Sequence, residues 1–80
     1  MSLTLQSMSV ERQVEELKDM STALVEIVTS AGGAMDLYEA LNAAARRCGV
    51  PPSQMHYALT YAKAERLLKT DSLTARLLLP

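Results

Sequence analysis

The sequence predicts a mostly α domain, three helices followed by a short C-terminal β-hairpin, and three observations carry that expectation. Apolar residues recur at alternating spacings of four and three along the first half of the chain, the period of a helix with one buried face. Breakers punctuate the pattern at Gly32-Gly33, at Gly49 and at Pro51-Pro52. After Arg66 the period changes to two, the signature of a half-buried strand. The palette agrees with this, since there is no Trp or Phe and only 3 Tyr, leaving Leu, Val, Ile, Met and Ala to build the core.

Residues Met1 to Met8 show no helical period. Leu3 and Leu5 alternate with Thr4 and Gln6 as a short strand or docked arm would, so residues 1–8 are expected as a tail or arm ahead of a domain over 9–80. Ser9 stands where an N-cap belongs, and Glu11 in the first turn opposes the positive end of the helix dipole. Val10, Val14, Leu17, Leu24 and Val28 then mark one stripe, with Ser21 in the interrupted position, while Met20, Val25 and Ile27 widen it. This predicts a helix from Ser9 to Ser30, longer than a small domain needs for its own core. Either the whole stripe packs internally or part of it pairs with a second chain. The reading taken is a homodimer with Val10, Val14, Leu17, Leu24 and Val28 at the interface.

Gly32 and Gly33 end that helix, and Ala34-Met35 fits a very short strand. Asp36 opens the second helix, with Glu39 completing a capping box and Met35 placed to staple onto Ala40. Leu37, Ala40, Leu41, Ala44 and Cys48 line its inner face, and Gly49 suits the left-handed position that follows. A third helix is expected from Pro52 or Ser53, because proline is tolerated in a turn and at a first helical position but not inside a helix. Its inner face is Met55, Ala58, Leu59 and Ala62; continuing the same face would bring Arg66 inward, so the helix should stop near Glu65. Leu67 to Thr70 and Leu73 to Leu79 then read as two strands around an Asp71-Ser72 turn.

The stretch from Leu41 to Thr60 resembles a helix-turn-helix: Ala45 is the small residue where two helices cross, Gly49 the turn, and Ala44, Cys48, Val50, Met55 and Ala58 the inward positions. Three helices followed by a hairpin is the order of the winged helix-turn-helix, which extends the resemblance from about Ser9 to Leu79. Two positions depart from the family's habit. Arg66 stands where such domains often place Gly before the first wing strand, and Asp-Ser is not a preferred two-residue hairpin turn. The resemblance implies a DNA-binding transcriptional regulator whose third helix enters the major groove of double-stranded DNA. Carried over by position, Ser53, Gln54, His56, Tyr57 and Thr60 are the base contacts, and Arg46, Arg47, Lys63, Lys69 and Arg76 the phosphate contacts.

Composition bounds the alternatives. With 80 residues and a net charge of -1, the chain is one small domain without a strongly basic coat. Its charge is unevenly placed: Glu11, Glu15, Glu16, Asp19 and Glu26 face only Arg12 and Lys18 in the first helix, whereas Arg46, Arg47, Lys63, Arg66, Lys69 and Arg76 outnumber the acids from Asp36 onward. The lone Cys48 forms no internal disulfide, and the start carries neither a basic region nor a long apolar run, so a cytoplasmic protein without a membrane span is expected. One His and one Cys make no metal quartet, and no Gly-rich phosphate loop appears. No catalytic residue, metal or cofactor is therefore assigned, and an enzyme is not expected. The alternative is a protein-interaction module on the same scaffold, using Tyr57, Tyr61 and the acidic first helix.

Overall fold

In a computed structural model, residues 10–80 are described, with side-chain surroundings from Arg12 onward. The tail at 1–8, the Ser9 cap and the side chains of Val10 and Glu11 lie outside them. The order is α1 (Val10–Ser30), β1 (Ala34–Asp36), α2 (Leu37–Cys48), α3 (Pro52–Ala64), β2 (Lys69–Asp71) and β3 (Arg76–Leu78). Three helices and a small antiparallel sheet thus bear out the mostly α class, in an arrangement compatible with a winged helix. The sheet order is β1-β3-β2, so the short strand expected at Ala34-Met35 joins the C-terminal hairpin on the far side of β3.

The core lies where the three helices meet the inner face of the sheet. Met20, Leu24 and Val28 of α1, Ala40, Leu41, Ala44 and Ala45 of α2, Met55, Ala58, Leu59 and Ala62 of α3, and Leu68 and Leu77 from the hairpin are all buried. Each large side chain among them contributes roughly 1.5 to 3 kcal/mol by leaving water. The many alanines let the helices approach closely. Where α1 meets α3, Ser21 is fully buried and its hydroxyl donates to the Ala58 carbonyl at 3.1 Å. The interruption in the apolar stripe is therefore a packing site.

Helix ends follow the chemistry of their residues. Asp36 caps α2 by accepting from the Glu39 amide at 3.0 Å, so one half of the expected capping box forms. Gly49 ends α2 at φ 69, with the Val50 amide donating to the Ala45 carbonyl at 3.0 Å. α3 ends the same way without glycine. Arg66 takes φ 59, its amide donates to Lys63 at 3.1 Å and the Leu67 amide to Ala62 at 2.8 Å. The left-handed turn that a glycine would ordinarily supply is thus made by an arginine, and the helix stops at Ala64 as the facing argument expected.

The hairpin needs correction. Its strands are shorter than Leu67 to Thr70 and Leu73 to Leu79, and Asp71 ends β2 instead of forming a two-residue turn with Ser72. Residues 72–75 make a four-residue loop in which the Asp71 carboxylate accepts from the Leu73 amide at 3.0 Å and Ala75 adopts φ 52. The physical reason is that Asp-Ser lacks the Gly that a tight two-residue turn favours, whereas Asp caps a wider loop well with its own side chain. Register pairs Asp36 and Asp71 with Arg76 from either side, and Met35 and Thr70 with Leu77. Leu77 therefore faces the core while Arg76 faces out.

Candidate nucleic-acid interface

α3 is seated by Met55, Ala58, Leu59 and Ala62, which leaves the opposite stripe for solvent. Ser53, His56, Tyr57, Thr60 and Lys63 are exposed there, while Gln54 and Tyr61 are half-buried. Four of the five base-contact candidates thus lie open on one helix, and Gln54 is only partly accessible. The Thr60 hydroxyl donates back to the His56 carbonyl at 3.0 Å, leaving its oxygen as an acceptor for an outside group. No Asp or Glu occurs within α3, so its outward face carries no carboxylate to repel a phosphate backbone, although the exposed Glu65 follows at its C-cap between Lys63 and Arg66.

The phosphate candidates divide into three groups. Arg46, Lys63 and Lys69 are exposed and enter no ion pair among the described residues. Arg46 sits where α2 turns into α3, on a shallow groove that Asn42, Ala45, Gly49, Val50, Pro51 and Pro52 complete. Lys63 lies at the other end of α3 and Lys69 begins the strand beyond it. These cations thus stand toward the two ends of α3, whose 13 residues span about 20 Å at ~1.5 Å each. Arg47, by contrast, donates to Glu26 of α1 at 2.9 Å. Both partners are about half exposed, so the pair contributes about 1 kcal/mol at most. Arg76 stands in register between the two aspartates of the sheet, Asp36 and Asp71, so its charge is offset by its cross-strand neighbours.

Arg66 was not among the sequence candidates, yet it is exposed beside Lys63. Its signal was present as the missing glycine after α3, where the chain leaves the helix. Cys48 is half-buried against the core, as its motif position predicted. Burial pushes its thiol above the ordinary value; Arg47 works against this, and the Glu16 and Asp19 carboxylates reinforce it.

The candidate dimer seam is split by the core. Leu24 and Val28 are fully buried inside the chain itself and so are not free to meet a second copy, because the short α2 and α3 need that part of α1 as their floor. Leu17 is half-buried and packs against the same core, whereas Val14 is exposed, so among the described side chains Val14 is the member of the stripe left for another chain, in the N-terminal half of α1. Between Arg12 and Asp19 no residue is buried.

Among the described residues no group of three His, Cys, Asp or Glu is arranged to hold a metal ion, and no helix is long and apolar enough to cross a membrane. No family model, no curated protein and no solved structure matches the chain.

Proposed function

We propose that this chain is a small DNA-binding transcriptional regulator that sets α3 into the major groove, in the manner of a winged helix-turn-helix. The observation that carries the reading is the carboxylate-free outward face of α3, bracketed by the unpaired cations Arg46, Lys63 and Lys69. Ser53, His56, Tyr57 and Thr60 then meet base edges, with Gln54 reaching adenine once its half-covered amide swings out. Arg46, Lys63 and Lys69, joined by Arg66, neutralise phosphates on either side. Arg47 and Arg76 are reserve cations, because acids already hold or flank them. The regulator acts in the cytoplasm as a homodimer through the N-terminal half of α1, which doubles a set of contacts too sparse for one copy alone.

The test is a gel-shift titration against random duplex DNA at low and moderate salt. Binding should fall steeply with salt. Arg46→Ala should weaken all sequences alike and lower the salt slope by about one unit, whereas Gln54→Ala should cost about 1 to 3 kcal/mol on the preferred site only. Absence of salt-dependent binding to any duplex overturns the reading. A second reading, a protein-interaction module on the same fold, is favoured by Tyr57, which is 55% exposed with the half-buried Tyr61 one turn beyond it. Paired tyrosines on an open helix suit a protein surface as well as a sugar-phosphate one. Loss of a protein complex on Tyr57→Ala, with DNA binding absent, supports that second reading.

A further inference from the structure

The two most exposed large apolar side chains of the described residues lie at one end of the sheet, outside α3. Leu73 is 96% exposed in the hairpin loop and Tyr38 is 63% exposed in the first turn of α2. Topology brings them to the same end: β1 runs into α2 there, β2 runs into the loop, and β3 leaves it. The Leu37 amide donates to the Ala75 carbonyl at 2.9 Å, which fastens the start of α2 to the base of the loop. The loop is held as well, by the bond from the Leu73 amide to the Asp71 carboxylate. These two bonds tie the loop backbone near Leu73, so ordering it in a complex costs less entropy than ordering an untied loop.

The charge around these two residues is acidic. Asp36, Glu39 and Asp71 stand at this end against Arg76 alone, the reverse of the balance around α3. A phosphate backbone is repelled by such a rim. We propose that this end of the sheet docks a protein segment that carries an apolar anchor flanked by Lys or Arg, with Leu73 and Tyr38 as the apolar contacts and Asp36, Glu39 and Asp71 as the charged rim. Exposed aromatic and aliphatic anchors inside a charged border are the usual anatomy of a small recognition surface, and charge complementarity selects the sign of the partner. The site draws none of its contact residues from α3, and of the DNA-contact candidates it includes Arg76 alone.

The experiment titrates the full-length, nitrogen-15-labelled chain with a short synthetic amphipathic peptide of Leu and Lys, and with its Leu and Glu counterpart, following amide signals by NMR. The Leu-Lys peptide should move the signals of residues 36–39 and 71–76, and the Leu-Glu peptide should move none of them. Leu73→Ser, a change at a solvent-facing position that leaves the fold intact, should weaken binding about tenfold, the ordinary loss on truncating an anchor. Glu39→Lys should weaken it as well. Three results overturn the proposal: the Leu-Lys peptide maps instead to Glu15, Asp19 and Glu26 of α1; Leu73→Ser binds as tightly as the unaltered chain; or the sheet-end signals move with duplex DNA or with protein concentration alone. DNA binding by Leu73→Ser should be unchanged, which separates this site from the α3 reading.

Discussion

Ser21 shows how a single polar residue can be required inside an apolar stripe. Its side chain is fully buried at the crossing of α1 and α3 and bonded to a carbonyl that the third helix already uses internally. Ser21→Ala should therefore lower stability by about 1 kcal/mol, the net worth of one such bond. Ser21→Leu should cost about 1 to 3 kcal/mol, because a larger side chain forces the helices apart. Urea unfolding monitored by circular dichroism reads both. Arg66 has the opposite character. Its φ of 59 strains a residue with a Cβ by roughly 1 to 2 kcal/mol. Glycine removes that strain but returns about 0.4 to 1 kcal/mol of entropy to the unfolded chain. Arg66→Gly should thus raise the urea midpoint modestly, and a fall would show that the arginine side chain has a stabilising partner.

At the scale of the element, α1 is two helices in function. From Met20 to Val28 it is the floor on which α2 and α3 pack; from Arg12 to Asp19 it contributes no buried residue. Substitutions along one stripe should consequently separate. Leu24→Glu buries a charge with no partner and should unfold the chain, with the loss of several kcal/mol that such burial brings. Val14→Glu should leave the circular dichroism spectrum intact and, on the proposed homodimer, shift sedimentation from dimer to monomer. A Val14→Glu chain that sediments like the unaltered one places self-association, if any, elsewhere. The same partition explains the hairpin, whose Leu77 and Leu68 are buried while Leu73, on an apparently continuous alternating run, stands in solvent. Once Asp71 caps the loop, the alternation to its C-terminal side no longer belongs to one strand.

For the whole molecule the governing feature is a charge separation that net charge conceals. The total is -1, yet α3 carries no acid within it: five carboxylates belong to α1 and three to the sheet end, and Glu65 at the C-cap of α3 is the exception. Glu26 is the point where the two regions touch, through its bond to Arg47. Glu26→Gln should release Arg47 and remove one negative charge. On the proposed DNA-binding function, affinity should then rise and the salt slope steepen by about one unit, while stability changes by at most about 1 kcal/mol. A fluorescence-anisotropy titration at several salt concentrations measures both, and an unchanged slope would mean that Arg47 lies off the path of the duplex.

The sequence by itself determined the three helices and their limits, because capping, glycine and proline chemistry act within a few residues and hydrophobic period reports which face is inward. Asp36, Gly49, Pro52 and the inward turn toward Arg66 each marked a boundary within a residue or two of the observed one. It also determined that Met55, Ala58, Leu59 and Ala62 seat α3, and hence which side chains α3 offers outward. Only the tertiary structure decided the partners that come from far along the chain. It gave Leu24 and Val28 to the core, Glu26 to Arg47, Ser21 to Ala58, and set Arg76 between Asp36 and Asp71. Periodicity states that a residue faces inward or outward, but not which distant residue it meets, because that depends on crossing angles and strand register. These are fixed by the packing of all the elements together.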